Sequence, residues 1–378
     1  MKFTIDQNSL SQVSSMVQRA ASTKDTIPSL SGLLITANED NSISFLSTDL
    51  EIGIKKKIDG AEILQTGSVL VNARYFTDFV RCLPSTSITM EHDIEVNKLK
   101  IQHGRSTGTL NVYDGEEFPE LPLSKLKQIC SVPQKVLKQS LKKTFFAAAV
   151  SHFKPVFSGI LFDFSNGVLN IVASDTHRLA MIEKEVTMAE EWTGQLIVPA
   201  RAIHELLRIL DDTDDEIIIG SADNNIVFYN QEGSFHILSR LIEGQYPNYN
   251  QVVPKDFSNN YSINAVVFGE ALERAMLMPT DSKSIKSVQL EFIKNELIIS
   301  AYSERMGDIK EIIENITIEK EKDIKITFNT RYLLDIVKII EDNNENVILK
   351  VTGAMSPALI SDPTDEKYTY VLVPLRTG

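Results

Sequence analysis

The chain has 378 residues, 43% of them hydrophobic and 24% charged, enough for two or three domains with cores of their own. Two cysteines, Cys82 and Cys130, exclude a disulfide framework or a cysteine-rich zinc site, and no apolar run approaches the ~20 residues of a membrane span, so a cytoplasmic protein without cofactor, metal or membrane contact is expected. The formal net charge of -13 disfavours binding to a polyanion unless Lys and Arg collect on one surface.

In chain order, the first element is a helix carrying Leu10, Val13 and Val17 on one stripe. A strand signature follows at Pro28-Ser-Leu-Ser-Gly32-Leu-Leu, and another ends at Ser47-Thr48-Asp49. Val71 then opens VNARYFTDFVRCL, whose apolar positions Phe76, Phe79, Val80 and Leu83 follow the i, i+3, i+4, i+7 spacing of an amphipathic helix. The alternating run Glu95-Val-Asn-Lys-Leu-Lys-Ile101 suits an antiparallel strand with one buried face. Asp114-Gly-Glu-Glu-Phe-Pro119 closes the segment, and a linker is expected from Leu121 to Pro133.

The same series then begins again. Leu137, Leu141 and Phe145 mark a helix, with Ser140 and Thr144 on the same side. Pro155-Val-Phe-Ser-Gly159-Ile-Leu repeats the first strand signature at an offset of 127, and Ala173-Ser174-Asp175 repeats the second. Val198 opens VPARAIHELLRIL, with Ile203, Leu206, Leu207 and Leu210 as its stripe. Asn225-Ile-Val-Phe-Tyr229 alternates as a strand, Glu243-Gly-Gln-Tyr-Pro247 closes, and a second linker is expected from Val253 to Asn260. A third copy carries the helix of Phe268, Ala271, Leu272 and Ala275, a degenerate strand Lys286-Ser-Val-Gln-Leu290, and the strand end Tyr302-Ser303-Glu304. Phe328 opens FNTRYLLDIVKII, with Leu333, Ile336, Val337 and Ile340, and the copy ends after Tyr370-Val-Leu-Val-Pro374.

The expected fold is therefore α+β, with three similar domains at 1–125, 126–253 and 254–378. Each holds two half-repeats of one helix plus antiparallel sheet, with sheets on one side and six helices on the other. On each second helix two basic residues stand seven apart: Arg74 and Arg81, Arg201 and Arg208, Arg331 and Lys338. They fall together, opposite the apolar stripe. Taken singly, each is a solvated face, with Asp78, Glu205 and Asp335 spaced for ion pairs. Threefold repetition, with Lys135, Lys138, Lys142 and Lys143 added in the second domain, makes a basic stripe suited to a polyanion backbone read without sequence preference.

The repeat, together with Ala173-Ser-Asp-Thr-His-Arg-Leu-Ala180, Arg240-Leu-Ile-Glu-Gly-Gln-Tyr-Pro247, Gly353-Ala-Met and Val373-Pro-Leu-Arg-Thr377, resembles the bacterial DNA polymerase III beta subunit family over the whole chain. The resemblance implies a DNA clamp fold, closed as a head-to-tail homodimer into a six-domain ring around duplex DNA, without catalysis. It implies a DNA-facing set of Lys24, Arg74, Arg81, Lys138, Lys142, Arg201, Arg208, Arg331 and Lys338. It also implies a cleft for short linear motifs of the replicative polymerase, the clamp loader and repair proteins. The matching cleft residues are Phe157, Ser174, Thr176, His177, Arg178, Leu179, Pro247, Val252, Val371, Val373, Pro374, Leu375 and Arg376. Leu179, Val252, Val373 and Leu375 are expected as apolar walls; His177, Arg178 and Arg376 as a polar rim. Leu110, Met276 and Leu277 match dimer-interface positions. Three departures stand out: Gly108 replaces a frequent interface aromatic, Ser174 a more usual Thr, and Thr176 a more usual Gly or Ser.

Two other readings stay open. Asp175 and His177 share a strand face at i and i+2, a spacing compatible with a hydrolase or metal site, but G-x-S-x-G, H-E-x-x-H and Walker A sequences are missing. A cytosolic scaffold built from the same repeats, unrelated to DNA, is the third.

Overall fold

A computed structural model describes residues 1–24, 27–115, 117–151, 153–278, 286–318, 323–342 and 344–376. Glu116 and Thr377, which belong to two of the motifs above, lie outside them. Among the described residues the six expected helices are present: α1 Gln7–Val17, α2 Ala73–Arg81, α3 Gln134–Thr144, α4 Ala200–Ile209, α5 Ala265–Met276 and α6 Thr330–Glu341. Four are started by a side chain that satisfies a free backbone amide. Asp6 accepts from the Ser9 N–H, Asn72 from Tyr75, Asn264 from Val267, and Asn329 from Arg331 and Tyr332. Their apolar stripes are buried as the spacing requires, from Leu10 and Val17 on α1 to Leu333, Ile336, Val337 and Ile340 on α6. Ser140 and Thr144 are buried with the α3 stripe, and the Thr144 hydroxyl donates to the Ser140 carbonyl one turn back. Phe79, Leu83, Phe145 and Leu207 are only half-buried, and Leu83 and Phe145 fall beyond the ends of α2 and α3. Among the described residues no helix is long and apolar enough to cross a membrane.

The chain folds as two compact units that divide the second repeat between them. One comprises residues 1–138, 186–192 and 201–241; the other 139–185, 193–200 and 242–378. Among the described residues the first contains a fourteen-stranded sheet, the second a nine-stranded and a four-stranded sheet, and every strand pairing is antiparallel. In the first unit Ile52–Ile58 pairs with Phe235–Arg240, setting Ile54 opposite Ile237 and joining the first repeat to the second. In the second unit Arg178–Glu185 pairs with Tyr368–Leu372, setting Leu179 opposite Val371 and joining the second repeat to the third. The two joints are equivalent in the repeat.

Three sequence expectations need adjustment. The linker 121–133 is shorter, because Lys127–Pro133 is a strand paired with Glu216–Ala222. The alternating run from Glu95 begins as a turn: Asn97 has φ +49 and the strand is Lys98–His103, where Leu99 and Ile101 are buried. The shared Pro-x-x-Ser-Gly signature is a 3-10 turn followed by a strand that starts at the glycine. Proline at the first turn position has φ preset and no N–H to lose, which favours that turn.

Candidate functional site

A cavity of about 530 Å³ opens in the second unit at the joint of its two repeats. Its walls come from five segments distant in the chain, one of them represented by Pro357 alone. The turn Pro155–Ser158 supplies Phe157; the bend between strands Val168–Ser174 and Arg178–Glu185 supplies Ser174, Thr176, Arg178 and Leu179; the last strand and its exit supply Val371 and Val373. The loop 246–254 closes the side with Tyr246, Pro247, Tyr249, Val252 and Val253, among others. The lining is apolar and rests on a packed cluster in which Phe157, Leu161, Val172, Leu179, Tyr246, Tyr249 and Val371 are buried. Above it Val252 is 51% and Val373 39% exposed, so these two apolar side chains are presented rather than packed away. A concave apolar site edged by a few polar groups is the usual form of a small ligand or peptide pocket.

Nine of the thirteen cleft residues expected from the sequence line this cavity: Phe157, Ser174, Thr176, Arg178, Leu179, Pro247, Val252, Val371 and Val373. His177, Pro374, Leu375 and Arg376 do not. His177 and Arg376 are exposed, Pro374 is buried, and Leu375 is half-buried, its N–H donating to the Thr327 carbonyl at 2.7 Å. The sequence reading missed Tyr246, Asn248, Tyr249, Gln251, Val253, Pro254 and Pro357. Tyr246 was already visible inside the closing Gly-Gln-Tyr-Pro motif.

Arg178 is not a rim group. It is 8% exposed; its guanidinium donates to Asp335 at 2.6 Å, to Asp175 at 3.0 Å and to the Phe146 carbonyl at 2.7 Å, and lies 4.1 Å from the centre of the Tyr332 ring. A buried guanidinium needs such saturation to offset its desolvation. Asp175 is equally committed: Oδ1 accepts from the amides of His177 and Arg178, and Oδ2 from Arg178 Nε. The Asp175 carboxylate therefore shapes the bend rather than serving His177 as a catalytic partner.

The basic residues fare unevenly. On α2, Arg74 is 89% and Arg81 64% exposed, sharing Asp78 between them. Lys24, Lys135, Lys142, Arg208 and Arg331 are exposed. Lys138 is held against Asp212 at 2.8 Å with a side chain only 15% exposed. Arg201 reaches Asp49 rather than its own Glu205, which instead faces Arg19. Lys338 is clasped by Glu341 at 2.9 Å and Glu273 at 3.0 Å. Asp335, expected to pair along α6, is taken by Arg178.

At the expected dimer positions Leu277 is 74% exposed, while Met276 and Leu110 are partly buried. Leu110 lies on strand Ser106–Tyr113, which pairs over 106–111 with Lys98–His103 on one edge; among the described residues its other edge meets Gly67–Asn72 only at Val112 and Tyr113. Gly108 on that strand lies under Phe79: a Cβ there would come 2.7 Å from the ring.

Comparison with known proteins completes the picture. Three family models match in succession: the N-terminal domain of the DNA polymerase III beta subunit over residues 1–122, the central domain over 131–248 and the C-terminal domain over 250–376. The beta sliding clamp of Bacillus subtilis is 31% identical, and that of Staphylococcus epidermidis 30%, each over the full length of both chains. The crystal structure of the Bacillus subtilis DNA polymerase sliding clamp superposes with a TM-score of 0.92 at 29% identity, covering all of both chains. The Caulobacter crescentus beta sliding clamp, with polyethylene glycol bound in a region described as tethering beta-motifs, gives 0.91 at 27%, covering 100% of this chain and 99% of that one. By its repeats, its three-domain clamp fold and these matches, the chain belongs to the DNA polymerase III beta subunit family, the sliding clamps.

Proposed function

We propose that this chain is a DNA sliding clamp that acts without catalysis, closes as a head-to-tail homodimer, surrounds duplex DNA and tethers polymerases, the clamp loader and repair proteins through the cavity at Leu179, Val252 and Val373. The full-length match to beta sliding clamps in all three domains carries the reading. The apolar cavity supports the peptide role, since Phe157, Leu179 and Val371 form its floor while Val252 and Val373 stand exposed at its side. The exposed cations of α2, α3 and α4 support contact with phosphates, in which position along the duplex is irrelevant. The open edge of strand Ser106–Asn111 supports pairing between copies, because an exposed strand edge is a template for another chain. The domain limits 1–125, 126–253 and 254–378 are proposed as the ring's repeating parts.

The test is retention on DNA of different topology. Protein loaded onto nicked circular duplex should stay bound through gel filtration and leave when the circle is cut. Retention that is the same on circular and linear DNA would point to ordinary surface binding. Absence of any retention would favour a scaffold that does not act on DNA.

A further inference from the structure

We infer that the electrostatic contact with DNA is unequal around the chain, carried mainly by α3 of the second repeat and α2 of the first, with the helices of the third repeat contributing little. The inference rests on the clamp reading and concerns which residues carry it. The sequence repeat suggests three equal basic pairs, but the local acids differ. Helix α3 has four lysines and no acidic residue. Two of these are engaged, Lys138 by Asp212 and Lys143 by Asp362 and Asp365, leaving Lys135 and Lys142 exposed. Helix α1 has no charged residue, and α2 has two arginines against Asp78 alone. Arg74 and Arg81 border a polar recess of about 900 Å³ whose lining includes Ser22, Thr23 and Asn72, groups able to donate to a phosphate oxygen.

In the third repeat the balance reverses. Helices α5 and α6 carry Arg274, Arg331 and Lys338 against Glu270, Glu273, Asp335 and Glu341. Arg274 is bound to Glu311 at 2.6 Å, and Lys338 sits between Glu273 and Glu341. A cation already neutralised by carboxylates condenses no phosphate unless it first gives them up, and the carboxylates themselves repel the duplex. Arg331 is exposed, and Arg274 is exposed too but committed to Glu311.

The full-length protein, in its native oligomeric state, should be titrated with a short fluorescent duplex over a range of salt concentrations. Reversing Lys135 and Lys142 to Glu should lower affinity at least about tenfold and reduce the slope of log K against log salt by about 1 per lost phosphate contact, about 2 for each protomer that touches the duplex. Reversing Arg331 and Lys338 to Glu should lower affinity by less than about threefold, with a slope change under about 1. Changing Glu273 and Glu341 to Gln should raise affinity by freeing Lys338. The neutral pair Lys135→Gln and Lys142→Gln, with circular dichroism of all variants, guards against misfolding. Equal losses from the α3 and α6 reversals, in a wild type that binds with normal salt dependence, would overturn the inequality while leaving the clamp reading intact. A wild type with no salt-dependent binding would overturn both.

Discussion

At the residue scale, three side chains explain more than their positions in a motif suggest. Arg178 lines the cavity yet is saturated by Asp335, Asp175 and the Phe146 carbonyl, and so fixes the floor to α6. Replacing it by Ala leaves Asp175 and Asp335 without their counter-charge, and urea unfolding should report a loss of about 3–5 kcal/mol. Thr176 adopts φ +75, a conformation costly for a β-branched residue, at a position where the resemblance favours Gly or Ser. Thr176→Gly should therefore raise stability by about 1 kcal/mol, seen as a higher denaturation midpoint; a drop would mean the hydroxyl's contacts outweigh the strain. His236 stacks on Tyr229 with ring centres 5.6 Å apart; burial, and then the charge of Lys55 opposite, lower its pKa from 6.5 to about 4. The folded state thus binds fewer protons than the unfolded chain between these values. The neutral ring's contribution is complete above pH 6.5 and is lost as pH falls through that window towards 4. His236→Phe should flatten this part of the stability profile relative to wild type, measured by urea denaturation from pH 7.5 to 4.

At the element scale the repeat is legible because helix periodicity survives where individual residues do not. All six apolar stripes lead to helices, with only Leu83, Phe145 and Leu210 falling past their ends, since burial of a face at i, i+3, i+4 leaves little choice of structure. Boundaries without such periodicity were not legible: nothing in Lys127–Pro133 distinguishes a strand from a linker until Glu216–Ala222 is beside it. The Gly32 and Gly159 pair shows how a local signature encodes packing. A Cβ at Gly32 would lie 2.5 Å from Leu70 Cδ1 and 2.7 Å from the Ser29 carbonyl; at Gly159 it would meet Ile197 at 2.7 Å and the Val198 carbonyl at 2.9 Å. Gly32→Ala should cost about 1–3 kcal/mol, readable as a lowered thermal midpoint, because a backbone oxygen cannot rotate away. The two repeat joints also share one bend: Thr48, Asp49 and Leu50 reproduce the hydrogen bonds of Ser174, Asp175 and Thr176, and Leu50 has φ +73. They diverge just beyond it. In the first joint Leu121 covers Gly53, so that a Cβ there would meet it at 2.7 Å; in the second the corresponding residue is Leu179, on the cavity floor. Which joint would hold a cavity depends on these connector side chains, and the repeat alone does not show it.

At the scale of the whole molecule, an acidic chain with net charge -13 contacts a polyanion only if its cations and anions are segregated, and local ion pairs decide how many cations remain available. Sequence spacing places Arg201 in register with Arg74, and Lys338 with Arg81 and Arg208, but could not show that Asp49 and Glu273, far away in the chain, would claim Arg201 and Lys338. The proposed protein-binding role should be separable from the proposed assembly, because the cavity and the expected dimer residues Leu110, Met276 and Leu277 share no side chain. The exit of the last strand is the sharpest place to divide them. Val373 lines the cavity and its N–H donates to the His177 carbonyl at 2.9 Å, holding the bend that carries Thr176 and Arg178. Deleting Val373 to Gly378 removes that wall and that bond, along with the Leu375 contact to Thr327, while strand Tyr368–Leu372 keeps its pairing to Arg178–Glu185. A short peptide with a glutamine-led polar head and an apolar tail should bind the intact protein in the micromolar range, about -8 kcal/mol, since so small a pocket provides few anchors. In the truncated protein calorimetry should detect no binding, while sedimentation should still give a dimer. Undiminished peptide affinity in a truncated dimer would place the partner site elsewhere, and a truncated protein that sediments as monomer would show that the chain's last residues also serve assembly.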